Sequence, residues 1–193
     1  MSSAADHAPV EEQRTRLLEG LAASIREKGL AQTQLTDIVR HARASRRTFY
    51  KHFPDKDSCF VELLHRVAAE IQARLVEAID READWQTQVD QAVDRYLAEL
   101  EAEPELTLTF ASPSLGERIV RAQREAIEQY AVLVKELADG EAFRRAGVRE
   151  ISLEQAYMLV SGLHLTVVRA VDRGEDLAPL APEFKAVFKA VLA

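Results

Sequence analysis

The chain has 193 residues, 47% of them hydrophobic, with seven glycines, six prolines and a formal charge of −7. That length and apolar content suffice for one or two small packed domains, and sparse Gly and Pro beside abundant Ala, Leu, Glu and Arg favour helix. The single cysteine, Cys59, excludes an intramolecular disulfide and fits a reducing cytoplasm, and no apolar run approaches the roughly 20 residues that span a bilayer.

The start, MSSAADHAPVEEQ, holds no apolar signal core, and residues 1–9 read as a disordered arm. The first helix is expected from about Val10 to Lys28. Leu17, Leu18, Leu21 and Ile25 form its apolar stripe, and Gly29 suits a C′ stop. The next stretch, Thr33 to Lys56, reads TQLTDIVRHARASRRTFYKHFPDK and predicts two short helices about a tight turn. Thr33 is the expected cap of the first, accepting from the Thr36 backbone N–H, with Ile38 its central inward residue. Ser45 caps the second, which runs to about His52. Phe49 and Phe53 are four apart and share a face. Arg46, Arg47, Thr48, Tyr50, Lys51 and His52 occupy the rest. Any one of these arginines alone is ordinary solvated surface. Caps, turn, inward aromatics and outward cations in one register suit insertion into a DNA major groove.

This stretch resembles the helix-turn-helix signature of TetR-family transcriptional regulators: a T-x-x-x-D-I run, an alanine, a turn, then S-x-x-T-F-Y-x-x-F and a following Lys. The matching residues are Thr33, Asp37-Ile38, Ala42, Ser45, Thr48-Phe49-Tyr50, Phe53 and Lys56. The family usually has Gly in the turn where this chain has Arg43, and often Gly where it has Arg47. Arg43 is therefore expected at positive φ with some strain. Arg47 adds a long cation near the bases. Arg46, Arg47 and Lys51 are expected to face bases, where Arg pairs with guanine edges. Thr33, Thr48, Tyr50, His52 and Lys56 are expected to position the helix on phosphates, and Arg43 completes the DNA-binding set. The charge is segregated to match. From Glu11 to Lys56 there are ten Lys and Arg against six Asp and Glu, whereas from Asp57 to Ala193 there are 15 against 25. Such a chain can bind phosphate through its head while its body is repelled.

Pro54 breaks the recognition helix and Asp55 caps the next. Phe60, Leu64, Val67, Ile71, Leu75 and Ile79 predict a long helix from about Lys56 to Arg81. Asp84 or Thr87 starts another, with Val89, Val93, Tyr96, Leu97 and Leu100 inward. After Pro104, residues 105–111 form a short apolar helix, and Ser112-Pro113-Ser114 is a break. Leu115 to Ala138 is a long helix, followed by a polar connector at 141–151 with room for one turn around Phe143. Ser152 caps Leu153 to Arg173, which is apolar nearly all round and must be covered on both sides. Pro179 to Leu192 is last. The fold class is all-α, nine helices in all: a helix-turn-helix head over 10–55 and a helical regulatory and dimerisation body over 56–193.

The surplus apolar faces of the last two helices suggest a two-fold interface, with Leu159, Leu163, Leu180, Phe184 and Phe188 as candidates. The resemblance adds that these helices pair with their copies as a four-helix bundle. It also implies a ligand pocket among the middle helices, for which the candidates are Trp85, Tyr96, Phe110, Gln123, Tyr130, Tyr157 and His164. They would line a mostly apolar cavity with a few polar fixtures. No G-x-G-x-x-G, Walker loop, H-E-x-x-H or G-x-S-x-G occurs, and the five histidines have no paired metal spacing, so no enzyme, cofactor or metal is expected. Cys59 lies early in a helix, where the positive end could activate it, but a buried structural thiol is the favoured reading. The expected function is a cytoplasmic, homodimeric DNA-binding regulator. The commoner mode among such proteins is repression, with release from a palindromic operator by a small, largely apolar effector. An all-helical adaptor without specific DNA recognition is the alternative, kept open by Arg43 and Arg47.

Overall fold

The structure, a computed structural model, describes residues 4–111 and 116–193. The first three residues, the expected Ser112-Pro113-Ser114 break and Leu115 lie outside that range. Among the described residues every regular element is a helix: α1 (Ala4–Gln32), α2 (Leu35–His41), α3 (Arg46–His52), α4 (Lys56–Ala78), α5 (Trp85–Ala102), α6 (Pro104–Ala111), α7 (Glu117–Ala138), α8 (Glu141–Arg145), α9 (Leu153–Asp172) and α10 (Leu180–Leu192). That is ten helices rather than nine, because the turn around Phe143 is a helix in its own right. α1 begins at Ala4, within the expected arm, where Ala4, Ala5 and Ala8 have high helix propensity. The chain divides into two compact units. One holds the residues up to Arg66 with the segment ending at Ala122; the other holds Val67–Ala111 and Gln123–Ala193. The divisions fall inside α4 and α7 rather than at Lys56. The first turns of α4 bury Cys59, Phe60, Leu63 and Leu64, and Glu62 pairs with Arg14 of α1.

In the head unit, Leu17, Leu21 and Ile25 of α1, Ile38 of α2 and Phe49 of α3 are all fully buried. Gly20 sets the α1–α2 distance. A Cβ built on it would lie 2.6 Å from the Ile38 carbonyl oxygen and 2.9 Å from the Ala42 nitrogen, so only glycine allows this backbone-to-backbone crossing. Gly29 leaves the helical region with φ 74°, as its role as a stop requires. Thr33 does not cap α2. Its hydroxyl donates to the freed Gly29 carbonyl at 2.8 Å and meets the buried Ser24 hydroxyl at 3.1 Å, which draws it inward. The cap is Gln34, whose N–H donates to the Asp37 carboxylate at 2.8 Å. The other caps form as expected: Ser45 Oγ accepts from Thr48 N–H at 3.0 Å, and Asp55 accepts from Ser58 N–H at 2.7 Å. Arg43 has φ 50°, the one non-glycine at positive φ among the described residues.

In the body unit, Asp84 rather than Thr87 caps α5, its carboxylate accepting from the Thr87 N–H and hydroxyl at 3.0 and 2.9 Å. Pro104 opens α6, where its missing N–H costs nothing. Ser152 and Gln155 form a reciprocal capping box at the start of α9. The core gathers Leu75 from α4, Val93 and Leu97 from α5, Ala131 from α7, Val167 from α9 and Phe188 from α10. Two ion pairs fasten α10 to α5: Lys185 with Asp94 at 2.7 Å and Lys189 with Asp90 at 2.6 Å.

Candidate DNA-binding surface and ligand cavity

The second helix of the head, α3, is held from within. Phe49 and Phe53 are buried with ring centroids 5.6 Å apart, and the Arg14 guanidinium sits 4.9 Å from the Phe53 ring centroid while pairing with Glu62. This anchor ties α1, the end of α3 and α4 together. It fixes the outward rotation of α3, which is what directs Arg46, Arg47, Tyr50 and Lys51 into solvent. Tyr50 is 60% exposed and rests edge-on against Phe49 at 5.6 Å. An aromatic that exposed on a short helix has a free hydroxyl to offer a phosphate.

The cations of the head fall into two groups. Those of α1 and α2 are largely neutralised within the fold: Arg14 pairs with Glu62, Lys28 with Asp37 at 2.7 Å, and Arg40 with Glu27 at 2.9 Å. Glu27 also meets His41 at 2.8 Å, and the hydrogen bonds from His41 and Arg40 hold its carboxyl below the usual range. By contrast, no carboxylate among the described residues pairs with Arg43, Arg46, Arg47 or Lys51, all of which are exposed. The unpaired positive charge is therefore concentrated on the turn and on α3.

The other expected contacts are placed differently from one another. Thr48 is half-buried, with its hydroxyl 2.9 Å from Ser45 Oγ. His52 is half-buried beside Gln13 of α1 at 3.5 Å. Lys56 turns back into the head and donates to the carbonyls of Thr33 at 2.9 Å and Leu30 at 3.3 Å, closing the end of α1 over the start of α4. Thr33 is 2% exposed with its hydroxyl engaged, so its side chain offers nothing to DNA. Sequence reasoning also missed Arg118 of α7. Its guanidinium donates to Ser58 Oγ at 2.7 Å and to Asp55 at 3.1 Å, bracing the cap of α4.

Cys59 is fully buried beside Glu62, and desolvation pushes its thiol up to about 12. Burial outweighs any activation by the helix end, so this cysteine is a small apolar core residue at neutral pH.

The body unit encloses a cavity of about 80 Å³, walled chiefly by α5, α7, α9 and α10. Tyr96 and Tyr130 line it, stacked edge to face at 5.5 Å. The other expected pocket residues lie elsewhere. Trp85 stands behind the wall, 6.0 Å from the Phe143 ring. Gln123 donates to the Phe110 carbonyl, tying α7 to α6. Tyr157 packs on the core, and His164 meets the Tyr96 hydroxyl at 3.2 Å with its imidazole pushed down by burial. Gln88, Leu163 and Phe188 line the cavity instead. For Leu163 and Phe188 this corrects the expected interface. They are 6% and 8% exposed and face the unit's own interior. The large apolar residues that do face out are Leu153, Met158 and Leu165 of α9 and Val187 of α10, at 44%, 64%, 65% and 51% exposure. Leu159, Leu180 and Phe184 are half-buried beside them. A helix that is apolar all round does not reveal which side meets its own core, and this is why the sequence misassigned two of the five.

Residues 17–63 match the family model for bacterial regulatory proteins of the tetR family. The chain is similar in fold to FadR from Bacillus subtilis, a transcriptional regulator whose structure holds stearoyl-CoA. Identity is 17%, coverage is 93% of this chain and 99% of that one, and the TM-score is 0.75. It is likewise similar to reduced NemR from E. coli (18% identity, 94% and 98% covered, TM-score 0.74). A third is a tetR-family transcriptional regulator from Streptomyces coelicolor (18% identity, 94% and 80% covered, TM-score 0.75). No curated protein matches the chain.

Proposed function

We propose that the chain is a TetR-family DNA-binding regulator that works as a homodimeric repressor, released from a palindromic operator by a small, largely apolar effector. The observation that carries the reading is the cluster of unpaired cations on the turn and α3, beside α1 and α2, where Arg14, Lys28 and Arg40 are paired with carboxylates. Arg46, Arg47 and Lys51 read base edges. Arg43, Tyr50 and Thr48 grip phosphates, and Lys56, by holding the α1 end to α4, orients the helix that does so.

The outward apolar face supports dimerisation. Met158, Gly162 and Leu165 on α9 share one helical stripe, and Leu180, Phe184 and Val187 on α10 share another. Nothing lies within 4 Å of a Cβ built at Gly162, so the stripe has an open notch for a partner side chain. Pairing these stripes in a second copy removes exposed Met, Leu and Val from water and sets two α3 helices against successive major grooves, about 34–36 Å apart.

The effector occupies the body cavity and acts by population shift: it binds more tightly to the body shape that fits DNA badly. A tenfold loss of operator affinity requires a tenfold preference of the effector for the free form, about 1.4 kcal/mol.

The test is fluorescence anisotropy of the purified protein on DNA flanking its own gene, against random duplex, at two salt concentrations. Six to ten phosphate contacts per dimer predict a loss of about 10³- to 10⁵-fold in affinity between 50 and 200 mM salt. Specific, salt-weakened binding supports the reading. Equal affinity for flanking and random duplex, again after selection of preferred sites from random sequence, overturns it in favour of a helical adaptor.

A further inference from the structure

The walls of the body cavity carry no charged side chain. Three polar groups reach them, from Gln88, Tyr96 and Tyr130. Two are already engaged: Tyr130 donates its hydroxyl to the Ala68 carbonyl at 3.2 Å, and the Tyr96 hydroxyl pairs with His164 Nδ1 at 3.2 Å. Burial raises both phenols and lowers the imidazole, so all three stay neutral. Gln88 is different. It is 5% exposed, and its amide nitrogen donates to the carbonyls of Ala83 at 2.9 Å and Arg81 at 3.3 Å. Those two carbonyls orient the amide and consume its donors. Gln88 lines the cavity, and its two hydrogen bonds among the described residues are both made by the amide nitrogen, which leaves the Oε1 uncommitted as an acceptor.

We propose that the cavity takes a compact, neutral, mostly apolar molecule bearing one hydrogen-bond donor, a phenol or ring alcohol, seated on the Gln88 Oε1, and that it rejects anions. The inference rests on the reading of this cavity as the effector site. A donor satisfies the uncommitted Gln88 oxygen of the lining, whereas an anion would meet that oxygen and no charged side chain. Four cations of the unit are already committed to carboxylates. Arg74 and Arg95 are taken by Glu99, and Lys185 and Lys189 by Asp94 and Asp90. An unpaired charge in such a site is too costly to bury. Size bounds the occupant as well. The cavity of about 80 Å³ is near half the roughly 150 Å³ that holds benzene in an engineered apolar cavity, so even a single ring must press its walls apart. That displacement gives binding its hold on the shape of the body.

The test is calorimetric titration of the full-length protein with phenol, anisole (the same ring with its donor methylated) and benzoate. Phenol is expected to bind about tenfold more tightly than anisole, the worth of one hydrogen bond to a fixed acceptor, and benzoate not to bind. Gln88→Leu should erase the phenol preference while anisole binding persists. Phe188→Trp, which fills the cavity, should abolish both. Three results overturn the proposal: benzoate binding as well as phenol, no phenol binding at millimolar concentration, or the preference surviving in folded Gln88→Leu. If that variant does not fold, the three probes on the natural protein decide alone. Operator affinity with and without phenol separates the two claims. Phenol binding that leaves DNA affinity unchanged removes the effector reading and leaves this one standing. Release by an anionic compound with no phenol binding does the reverse.

Discussion

Arg43 holds the turn between α2 and α3 at φ 50°, where L-residues are strained. The left-handed conformation costs a non-glycine residue roughly 1–2 kcal/mol, and glycine pays none of it. Glycine loses more backbone freedom on folding, which offsets about 0.4–1 kcal/mol. Arg43→Gly should therefore stabilise the folded chain by about 0.5–1 kcal/mol, or 1–4 °C in melting temperature for a chain of this size. The turn itself need not change. Ala42 N–H reaches the Ile38 carbonyl at 2.9 Å and Ala44 N–H the Val39 carbonyl at 2.9 Å through backbone alone. Arg43→Ala is the control: it removes the same cation and keeps the strain, so its stability should match the natural protein. Urea denaturation of the three proteins measures the difference. Both variants should also flatten the salt dependence of DNA binding by about one unit of slope for each lost phosphate contact. An Arg43→Gly protein no more stable than Arg43→Ala would refute the strain argument. Stability in the order Arg, then Gly, then Ala would mean the arginine side chain itself contributes to the turn.

Gly20→Ala should destabilise by about 1–3 kcal/mol in urea despite alanine's better helix propensity, because its Cβ would press on backbone rather than on a movable side chain; an unchanged midpoint would show that α1 can slide. Acid should weaken the fold through its caps. Asp55, Asp84 and Asp37 have carboxyls held below the usual range by hydrogen bonds, the first two from Ser58 and Thr87 N–H, the third led by Lys28. A depressed folded pKa contributes stability that is present above the unfolded value near 4 and is lost as pH falls through the folded value. Melting temperature should drop below about pH 4, less steeply in Asp55→Asn; identical pH profiles would remove Asp55 from the account. Arg47→Ala should relax base preference at one position of the operator, whereas Tyr50→Phe should weaken all sequences alike, as measured on a panel of single-base operator variants; an unchanged preference in Arg47→Ala would discard its base-reading role.

What could be read in the sequence was what local physics decides. Ser45, Asp55 and Ser152 cap their helices because the hydroxyl or carboxylate reaches an N–H three residues on, and that geometry needs no tertiary partner. Gly29 and the spacing of Phe49 and Phe53 were legible for the same reason. The misses all depend on what lies across the gap. Thr33 was a sound cap by type, but a carbonyl freed by Gly29 and the hydroxyl of Ser24 compete for it. Gly20 carried no sequence signal of its role, because the backbone it must clear belongs to α2. Leu163 and Phe188 belong to helices with apolar residues on several sides, and periodicity cannot choose between a core and a partner. Gln88 did carry a signal, as a lone amide on the inward stripe of α5 beside Val89 and Tyr96, but its two backbone carbonyls come from the preceding loop.

The central claim is that α3 reads a two-fold DNA site. Its most direct measurement is selection of duplexes bound by the full-length protein from a random pool, followed by footprinting on the enriched sequence. A dimer reading DNA through α3 should select an inverted repeat with half-site centres one helical turn, about 10 bp, or a whole multiple of that apart, protected on one face of the duplex. Enrichment of no sequence, or of a single unrepeated half-site bound by a monomer, would contradict it.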